Sequence, residues 1–466
     1  MTYVNDRRWL EQLAIINDYV RIPYANGSSY ASQFLFRELS ARGHEVTVVG
    51  PEDPAATEAE LPPQHVSLPS VPLRNHPGVH LAMPSRVGLR SLKHARFDLV
   101  LAQASSALLD AGVWLRQRHG VPLVCVNTVH MPSVYNAMLP DRLNAFRPVQ
   151  WVFRKRLIPW VERSFASMYN AGDALVVLSP GLKRYWEDRG VTVPIHVIPR
   201  AIERGIFDRT DQSDPFPPEA LPGKRMLVVC RHVREKGVDR LLRLFAKHIV
   251  PRVAGVSLTL VGDGAEHQAF RELAVELGIS GQTHFVGEKS LAEMPGWYRH
   301  ADLFVYTSLS ETYGQVVSEA LWCGLPVVAF NDGMGVAGQV SHGRDGFLIE
   351  PTRADADLWF ARSAERVLED EALRLSLRER AKALAWGRSE PRRCVTRYLE
   401  VFELARDSAS RAVPESRWAT FRRLGRWLGS HVFAAAMGLL RRPAKLNQNE
   451  APAGTWTLAA NASESV

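Results

Sequence analysis

Twelve short apolar runs recur along the chain, separated by helical patterns and loops, and this alternation constrains the fold more than any other feature. The first six are Leu13–Asn17, Glu45–Val49, Asp98–Ala102, Pro122–Asn127, Ala174–Leu178 and Ile195–Ile198. The second six are Arg225–Cys230, Val256–Val261, Thr283–Val286, Asp302–Tyr306, Pro326–Phe330 and Phe347–Ile349. Runs that are apolar throughout, rather than alternating, suit strands buried on both faces of a parallel sheet. Between them lie amphipathic segments such as Tyr30–Arg42 and Val238–Ile249. Strand–helix alternation builds βαβ units, so the expected class is α/β with doubly wound sheets.

The two sets read as two Rossmann-like domains. Between them, Arg204–Lys224 is polar and holds Pro215, Pro217, Pro218 and Pro222, a composition typical of a domain boundary. The expected division is 1–203, a linker 204–224, and a second domain 225–385. A helix over 386–407 and a cationic amphipathic tail over 408–466, its end disordered, complete the chain. Cys125, Cys230, Cys323 and Cys394 are too far apart for a disulfide scaffold or the usual zinc spacings. Met1–Val20 carries Asp6, Arg7, Arg8 and Glu11 among short apolar runs, unlike a secretory leader. The longest late apolar run, Val432–Leu440, is too short to span a membrane.

In open α/β sheets, ligands bind beyond the carboxyl ends of the strands. Arg231-His232-Val233-Arg234-Glu235-Lys236-Gly237 follows the first strand of the second set. Two cations beside a helix start suit a diphosphate, although a strand-end arginine and a surface lysine would read the same way. Glu311 and Glu319 flank Thr312-Tyr313-Gly314 at a helix start. A gap of eight residues is about 800° of helix, so both carboxylates are expected on one face. They could accept from sugar and ribose hydroxyls, or simply form a solvated acidic face. Gly27, with Ser28 and Ser29, precedes a helix and could let backbone approach a phosphate. Gly262-Asp263-Gly264 lacks the third glycine of a dinucleotide fingerprint. His130 sits at a strand end, where a capping histidine is equally at home.

The assembled motifs resemble the retaining, nucleotide-sugar-dependent glycosyltransferases of the GT-B fold, family four, over about Leu13 to Asp407. The similarity is carried by Arg231 through Gly237, Leu260-Val261-Gly262-Asp263-Gly264, Phe285-Val286-Gly287 and Ser308 through Gly314 with Ser318-Glu319-Ala320. Gly324-Leu325-Pro326-Val327-Val328, Gly346-Phe347-Leu348 and Arg42-Gly43-His44-Glu45-Val46 add to it. The chain departs from the family at Arg200-Ala201-Ile202-Glu203, where a glycine is usual, and at Tyr24 through Ser29, which has one glycine. The resemblance implies an acceptor-side N-terminal domain and a nucleotide-sugar-binding second domain facing it across a cleft. It also implies that the helix over 386–407 returns to the N-terminal domain. Arg231 and Lys236 would neutralise the leaving diphosphate, helped by amides of Tyr313, Gly314 and Gln315. Glu319 would accept from the ribose, Glu311 would face the sugar, and His130 would lie near the reacting centre. Gly27 and Gly262 would line the nucleotide side. The implied donor is a UDP-sugar, with GDP-mannose and ADP-glucose open, and no essential metal is expected.

The acceptor is sought elsewhere. Trp418, Phe421, Leu424, Leu428, Val432, Ala435 and Leu439 recur at steps of three or four, while Arg422, Arg423 and Arg426 lie off that stripe. A cationic amphipathic helix with tryptophan suits an anionic membrane surface, here over 416–442, or docking onto protein. Phe146–Phe165, with Trp151, Arg154, Lys155, Arg156 and Trp160, is a second such segment. Together they suggest a lipid acceptor, a diacylglycerol or glycolipid, and a cytoplasmic enzyme on the inner face of the membrane. A soluble or polysaccharide acceptor and a nucleotide-sugar epimerase are the alternatives. The net charge of +8 does not argue for nucleic acid. From Ser408 onward there are eight basic and three acidic residues, so the tail holds +5 of it.

Overall fold

A computed structural model describes residues 9–18, 27–72, 80–82, 88–128, 130, 146–220, 223–410 and 416–439. The strands are β1 (Gln12–Asn17), β2 (Glu45–Pro51), β3 (His65–Leu68), β4 (Ser70–Pro72), β5 (His80–Ala82), β6 (Leu99–Gln103), β7 (Leu123–Val126), β8 (Ala174–Val177) and β9 (Ile195–Val197). They continue with β10 (Lys224–Val229), β11 (Val256–Val261), β12 (Thr283–Gly287), β13 (Leu303–Tyr306), β14 (Val327–Phe330) and β15 (Gly346–Ile349). Seven form one parallel sheet in the order β3-β2-β1-β6-β7-β8-β9. Six form a second, also parallel, in the order β12-β11-β10-β13-β14-β15. The antiparallel pair β4–β5 and the edge strand β3 were not anticipated. Their short, half-polar sequences carry neither an unbroken apolar run nor a long alternation.

The continuous apolar runs have the expected cause. Along β1, Ala14 and Ile16 enter one core with Val100, Ala102, Leu123 and Cys125. Leu13 and Ile15 enter another, on the opposite face, with Leu99, Leu101, Val124 and Val126. Alternate residues go to opposite faces, and both faces are covered. Part of the second cover comes from far along the chain. Helix Pro391–Ala409 sends Val395, Tyr398, Val401 and Phe402 into that core, so the segment after the second sheet packs against the first. The second sheet has its own core, built on Leu227, Leu258, Phe304 and Val328.

In each sheet the strand order reverses beside the first strand. β1 lies between β2 and β6, and β10 lies between β11 and β13. Loops leave in opposite directions there, which opens a crevice at the carboxyl ends. At the β10–β11 end the backbones nearly touch. Gly262 has φ +125°, and a Cβ there would lie 2.0 Å from the Cys230 carbonyl oxygen. Its glycine is thus a packing requirement in its own right.

The C-terminal helix Arg417–Leu439 lies on helix Ile158–Tyr169. Its buried side is Arg423, Trp427 and Ser430, spaced four and three apart. Trp427 meets the Phe165 ring edge-on at 4.8 Å, and Ser164 Oγ donates to the Arg426 carbonyl at 3.3 Å. Arg423, 3% exposed, approaches Asp110 at 3.9 Å. The apolar stripe is on the outer side: Trp418, Phe421, Leu428 and Val432 are each more than 60% exposed. Residues 440–466, and so the last residues of the 416–442 stretch and the end expected to be disordered, lie outside the described residues, as do the side chains of Ala435 and Leu439.

Gly262→Ala should destabilise the protein by about 2 kcal/mol or more, because it adds a clash to a left-handed conformation. The denaturant midpoint of the variant against wild type measures this.

Candidate functional site

Behind β10 the chain makes a tight turn, Arg234–Lys236, ending at Gly237 with φ +66°. A Cβ on Gly237 would lie 3.1 Å from the Thr307 carbonyl oxygen. This turn points Lys236 inward, and its Nζ lies 2.5 Å from Glu311 Oε1. The same carboxylate oxygen accepts from Tyr306 Oη at 2.8 Å and Ser308 Oγ at 2.7 Å. Burial pushes the Glu311 carboxyl up, but the Lys236 charge and the three donors outweigh it and hold Glu311 below its ordinary value. The carboxylate is therefore ionised at neutral pH. Arg231, by contrast, is 72% exposed in its side chain, with Glu235 a loose 3.4 Å away. It is free of tight packing just past the carboxyl end of β10.

Glu311 and Glu319 do not share a helix face. Gly314 has φ +80°, and the helix Gln315–Trp322 starts only after it. Glu311 thus belongs to the preceding loop, where helical spacing does not apply. Glu319 is buried on the helix and accepts from Tyr298 Oη at 2.8 Å. Burial raises its carboxyl to about 7, against smaller lowering contributions from Tyr298 and Gln315. Gly314 and Gln315 open the helix, and Gln339 Nε2 donates to the Gly314 carbonyl at 3.2 Å. Tyr313 turns away from them into the first domain's core. Its hydroxyl meets Ser389 Oγ at 2.8 Å and Ser318 Oγ at 3.1 Å.

The first sheet contributes a polar floor. Asp18, just past β1, accepts from the amides of Ser105 at 2.6 Å and Ser106 at 3.2 Å, and from Ser106 Oγ. Asn17 Nδ2 donates to Ser32 Oγ, which donates to Gln103 Oε1. Gly27 is the first residue of helix Gly27–Ser40, and residues 19–26 before it lie outside the described residues. The two halves meet where Thr312 Oγ1 donates to the Thr128 carbonyl at 3.3 Å. Two residues on, His130 packs against the Tyr185 ring at 5.4 Å. Burial, then the charge of Arg189, lowers His130 to about 4, so it is neutral at pH 7.

The structure therefore brings Lys236 and Glu311 into contact, with Gly314 beside Glu311 and Gln315 next along the chain; the Tyr313 side chain turns away, and Arg231 lies in the same strand-end loop as Lys236. Gly262 stands behind Cys230, and Glu319 is buried on the helix that starts at Gln315, against Tyr298. Sequence reasoning missed His232 and His267, whose Nδ1 atoms are 2.8 Å apart beside Asp263. The available signal was a histidine past a strand, with Asp263 and His267 four apart at a helix start. It also missed Gln339, which has no motif around it.

A crevice at the carboxyl ends of two parallel sheets, with a fixed lysine, an exposed arginine and a helix start at its edge, suits an anionic sugar nucleotide. Residues 211–384 match the model for glycosyl transferases group 1, and residues 25–204 match that for Glycosyltransferase Family 4. The chain belongs to the family-four glycosyltransferases. This glycosyltransferase is 28% identical over 335 residues to a GDP-mannose-dependent alpha-mannosyltransferase of Mycobacterium tuberculosis, covering 70% of this chain and 81% of that one. It is 24% identical to the alpha-monoglucosyldiacylglycerol synthase of Streptococcus pneumoniae, covering 66% and 68%. With an exopolysaccharide phosphotransferase of Streptomyces coelicolor it shares 31% identity over 45% of this chain but 21% of that one. Among solved structures it resembles HepE of Anabaena, determined in complex with UDP and glucose, at a TM-score of 0.62 and 17% identity, covering 84% and 99%. The fold of the glycosyltransferase is GT-B.

Two outcomes follow from the electrostatics. Lys236→Met strands a buried carboxylate and should cost about 3 kcal/mol, most of it recovered in Lys236→Met/Glu311→Gln; denaturant unfolding of the three proteins checks this. Glu319 is raised from 4.5 to about 7 in the fold, so the folded state holds the proton more tightly than the unfolded chain. That stability is fully present below pH 4.5 and is lost as pH rises through about 7. Glu319→Gln should therefore narrow the difference in melting temperature between pH 5 and pH 8; an unchanged difference rules out Glu319 as its source.

Proposed function

We propose that this glycosyltransferase moves a hexose from a UDP-sugar to a hydroxyl of a membrane lipid, a diacylglycerol or glycolipid, with retention at the anomeric carbon. Arg231 and Lys236 meet the diphosphate as its charge grows, with the amides of Gly314 and Gln315 at the helix start. Preorganised donors and cations aimed at developing charge are usually the largest catalytic contribution. Glu319 accepts from the ribose hydroxyls. Glu311, ionised by Lys236, faces the donor sugar and sets the lysine's position. His130, neutral, offers a hydrogen bond near the reacting carbon. The anomeric C–O bond to the diphosphate breaks, and the acceptor oxygen bonds to that carbon on the same face. The acceptor proton passes to a leaving phosphate oxygen, so no pair of catalytic carboxylates is required.

The observation that carries the lipid acceptor is the outward stripe of Trp418, Phe421, Leu428 and Val432. Arg422 and Arg426 are exposed beside it. Phe146, Trp151 and Val152, ahead of the helix on which it rests, are exposed too. Apolar side chains flanked by arginines suit an anionic bilayer interface. No helix among the described residues is long and apolar enough to cross a membrane, so the attachment proposed is peripheral, on the cytoplasmic face. The relative from Streptococcus pneumoniae, by its name, makes a glycosyl diacylglycerol.

Lys236→Ala should lower turnover about 100-fold or more while the protein still unfolds cooperatively, as read by nucleoside diphosphate release from a panel of UDP-, GDP- and ADP-sugars. Wild-type turnover in that variant would remove Lys236 from the site. The full chain should pellet with phosphatidylglycerol-containing liposomes, less so at high salt. Trp418→Glu/Phe421→Glu should weaken that partitioning about 100-fold, from the loss of two buried aromatic side chains. Equal pelleting of the two proteins refutes the membrane face.

A further inference from the structure

The ends of β10 and β11 carry a second cluster that the transfer reaction does not use. His232, Asp263 and His267 each place one ligand atom within 4.8 Å of the others. His232 Nδ1 is 2.8 Å from His267 Nδ1, and His267 Nδ1 is 3.3 Å from Asp263 Oδ1. We propose that these three side chains bind a borderline divalent transition-metal ion, with Zn2+ as the type.

The donor set selects the metal class. Two imidazoles and one carboxylate suit Zn2+, Co2+ or Ni2+ better than Mg2+ or Ca2+, which take oxygen ligands. The spacing is compatible as it stands. Two nitrogens 2.8 Å apart, each about 2.0–2.1 Å from an ion, subtend roughly 85° at it, a cis pair. Asp263 and His267 are partly exposed, so water can complete the coordination.

The frame around the cluster is fixed before any ion arrives. The His232 amide donates to the Asp263 carbonyl at 2.8 Å, and the Glu266 amide donates to the His232 carbonyl at 2.9 Å. A Cβ on Gly264 would lie 2.6 Å from that same His232 carbonyl oxygen, so the two loops interlock. The His232 ring is wholly buried, stacked on His267 at 4.9 Å and edged by Phe270 and Phe285. The Gly264 amide donates to Asp263 Oδ1 at 2.6 Å and orients the carboxylate. Without an ion, the 2.8 Å contact between the two Nδ1 atoms requires one ring to carry its proton at Nδ1 and the other to accept it. On binding, that proton moves to Nε2 of the ring that held it, and both Nδ1 atoms turn their lone pairs to the ion. The His232 Nε2 is buried with no hydrogen-bond partner among the described residues, so the ring's hydrogen bonding runs through Nδ1.

The test uses the full chain, freed of metal with a chelator and titrated with CoCl2. Wild type should show visible d–d bands saturating at one Co2+ per chain, displaced by Zn2+ and not by Mg2+. Asp263→Asn and His267→Gln should each weaken binding about tenfold or more. Zn2+ should raise the melting temperature of wild type and raise that of His267→Gln less at the same concentration. Absence of the bands and of the melting shift in wild type overturns the site, as do bands of equal strength in both variants. All readouts are independent of sugar transfer.

Discussion

The ion pair between Lys236 and Glu311 joins the elements that make the cleft. Lys236 comes from the turn after β10, and Glu311 from the loop after β13, the strand beside it. The loop after β14 clasps the same segment, since the Gly335 amide donates to the Glu311 carbonyl at 3.0 Å. One residue beyond Glu311, Thr312 reaches Thr128 of the other sheet. A buried pair contributes little net stability over an apolar substitute, yet removing one partner is expensive. Its value here is positional: it holds a cation at a strand end in one orientation, and it keeps a carboxylate ionised in a buried place. Glu319, eight residues on, lacks such a partner, and burial alone raises it. Two glutamates in one stretch thus differ in charge state because only one has a lysine.

Much of the fold was legible in the sequence because burial on both faces of a parallel sheet removes polar residues from the strand. All six strands of the second sheet, and six of the seven in the first, lie on runs read from apolarity alone. The exception, β3, is an edge strand with two exposed residues in four. The candidate residues could be named from the sequence, but their mutual geometry could not. Helical spacing was applied across Gly314, whose left-handed conformation lets the chain enter the helix from a loop. Glu311 therefore sits four residues outside the periodicity that Glu319 obeys. The partners of both carboxylates, Lys236 and Tyr298, are distant in sequence, and spacing carries no information about them.

Glycine, too, meant something different in three dimensions. In sequence, Gly262-Asp263-Gly264 lacks a dinucleotide fingerprint, and the resemblance alone puts Gly262 on the nucleotide side. In the fold each glycine is required where its backbone meets the neighbouring strand-end loop, at Cys230 and His232. This close approach is also what brings His232, Asp263 and His267 within reach of one another. The same steric constraint that seals the end of the sheet creates a cluster of ligand atoms.

The C-terminal helix shows how a stripe and a docking face can be separate. Its sequence has one clear apolar stripe, and a helix resting on protein should bury that stripe. Instead Trp427 fills the contact with Phe165, and Arg423 is nine-tenths or more buried near Asp110. Four large apolar side chains are left in water, each worth about 1.5–3 kcal/mol if buried. A helix free to rotate would turn them inward. It is held the other way by the Arg423–Asp110 approach, the Ser164 hydrogen bond and the Trp427 contact, which together fix its rotation. Scattered exposed apolar residues need no explanation, but a patch along one helix face does. The tail carries +5 of the net charge of +8, so the outward stripe and the excess positive charge occupy the same segment. Arg422 and Arg426 are exposed on the same helix as the stripe, whereas Arg423 is turned into the docking face, so docking leaves the stripe and these two arginines on the outside.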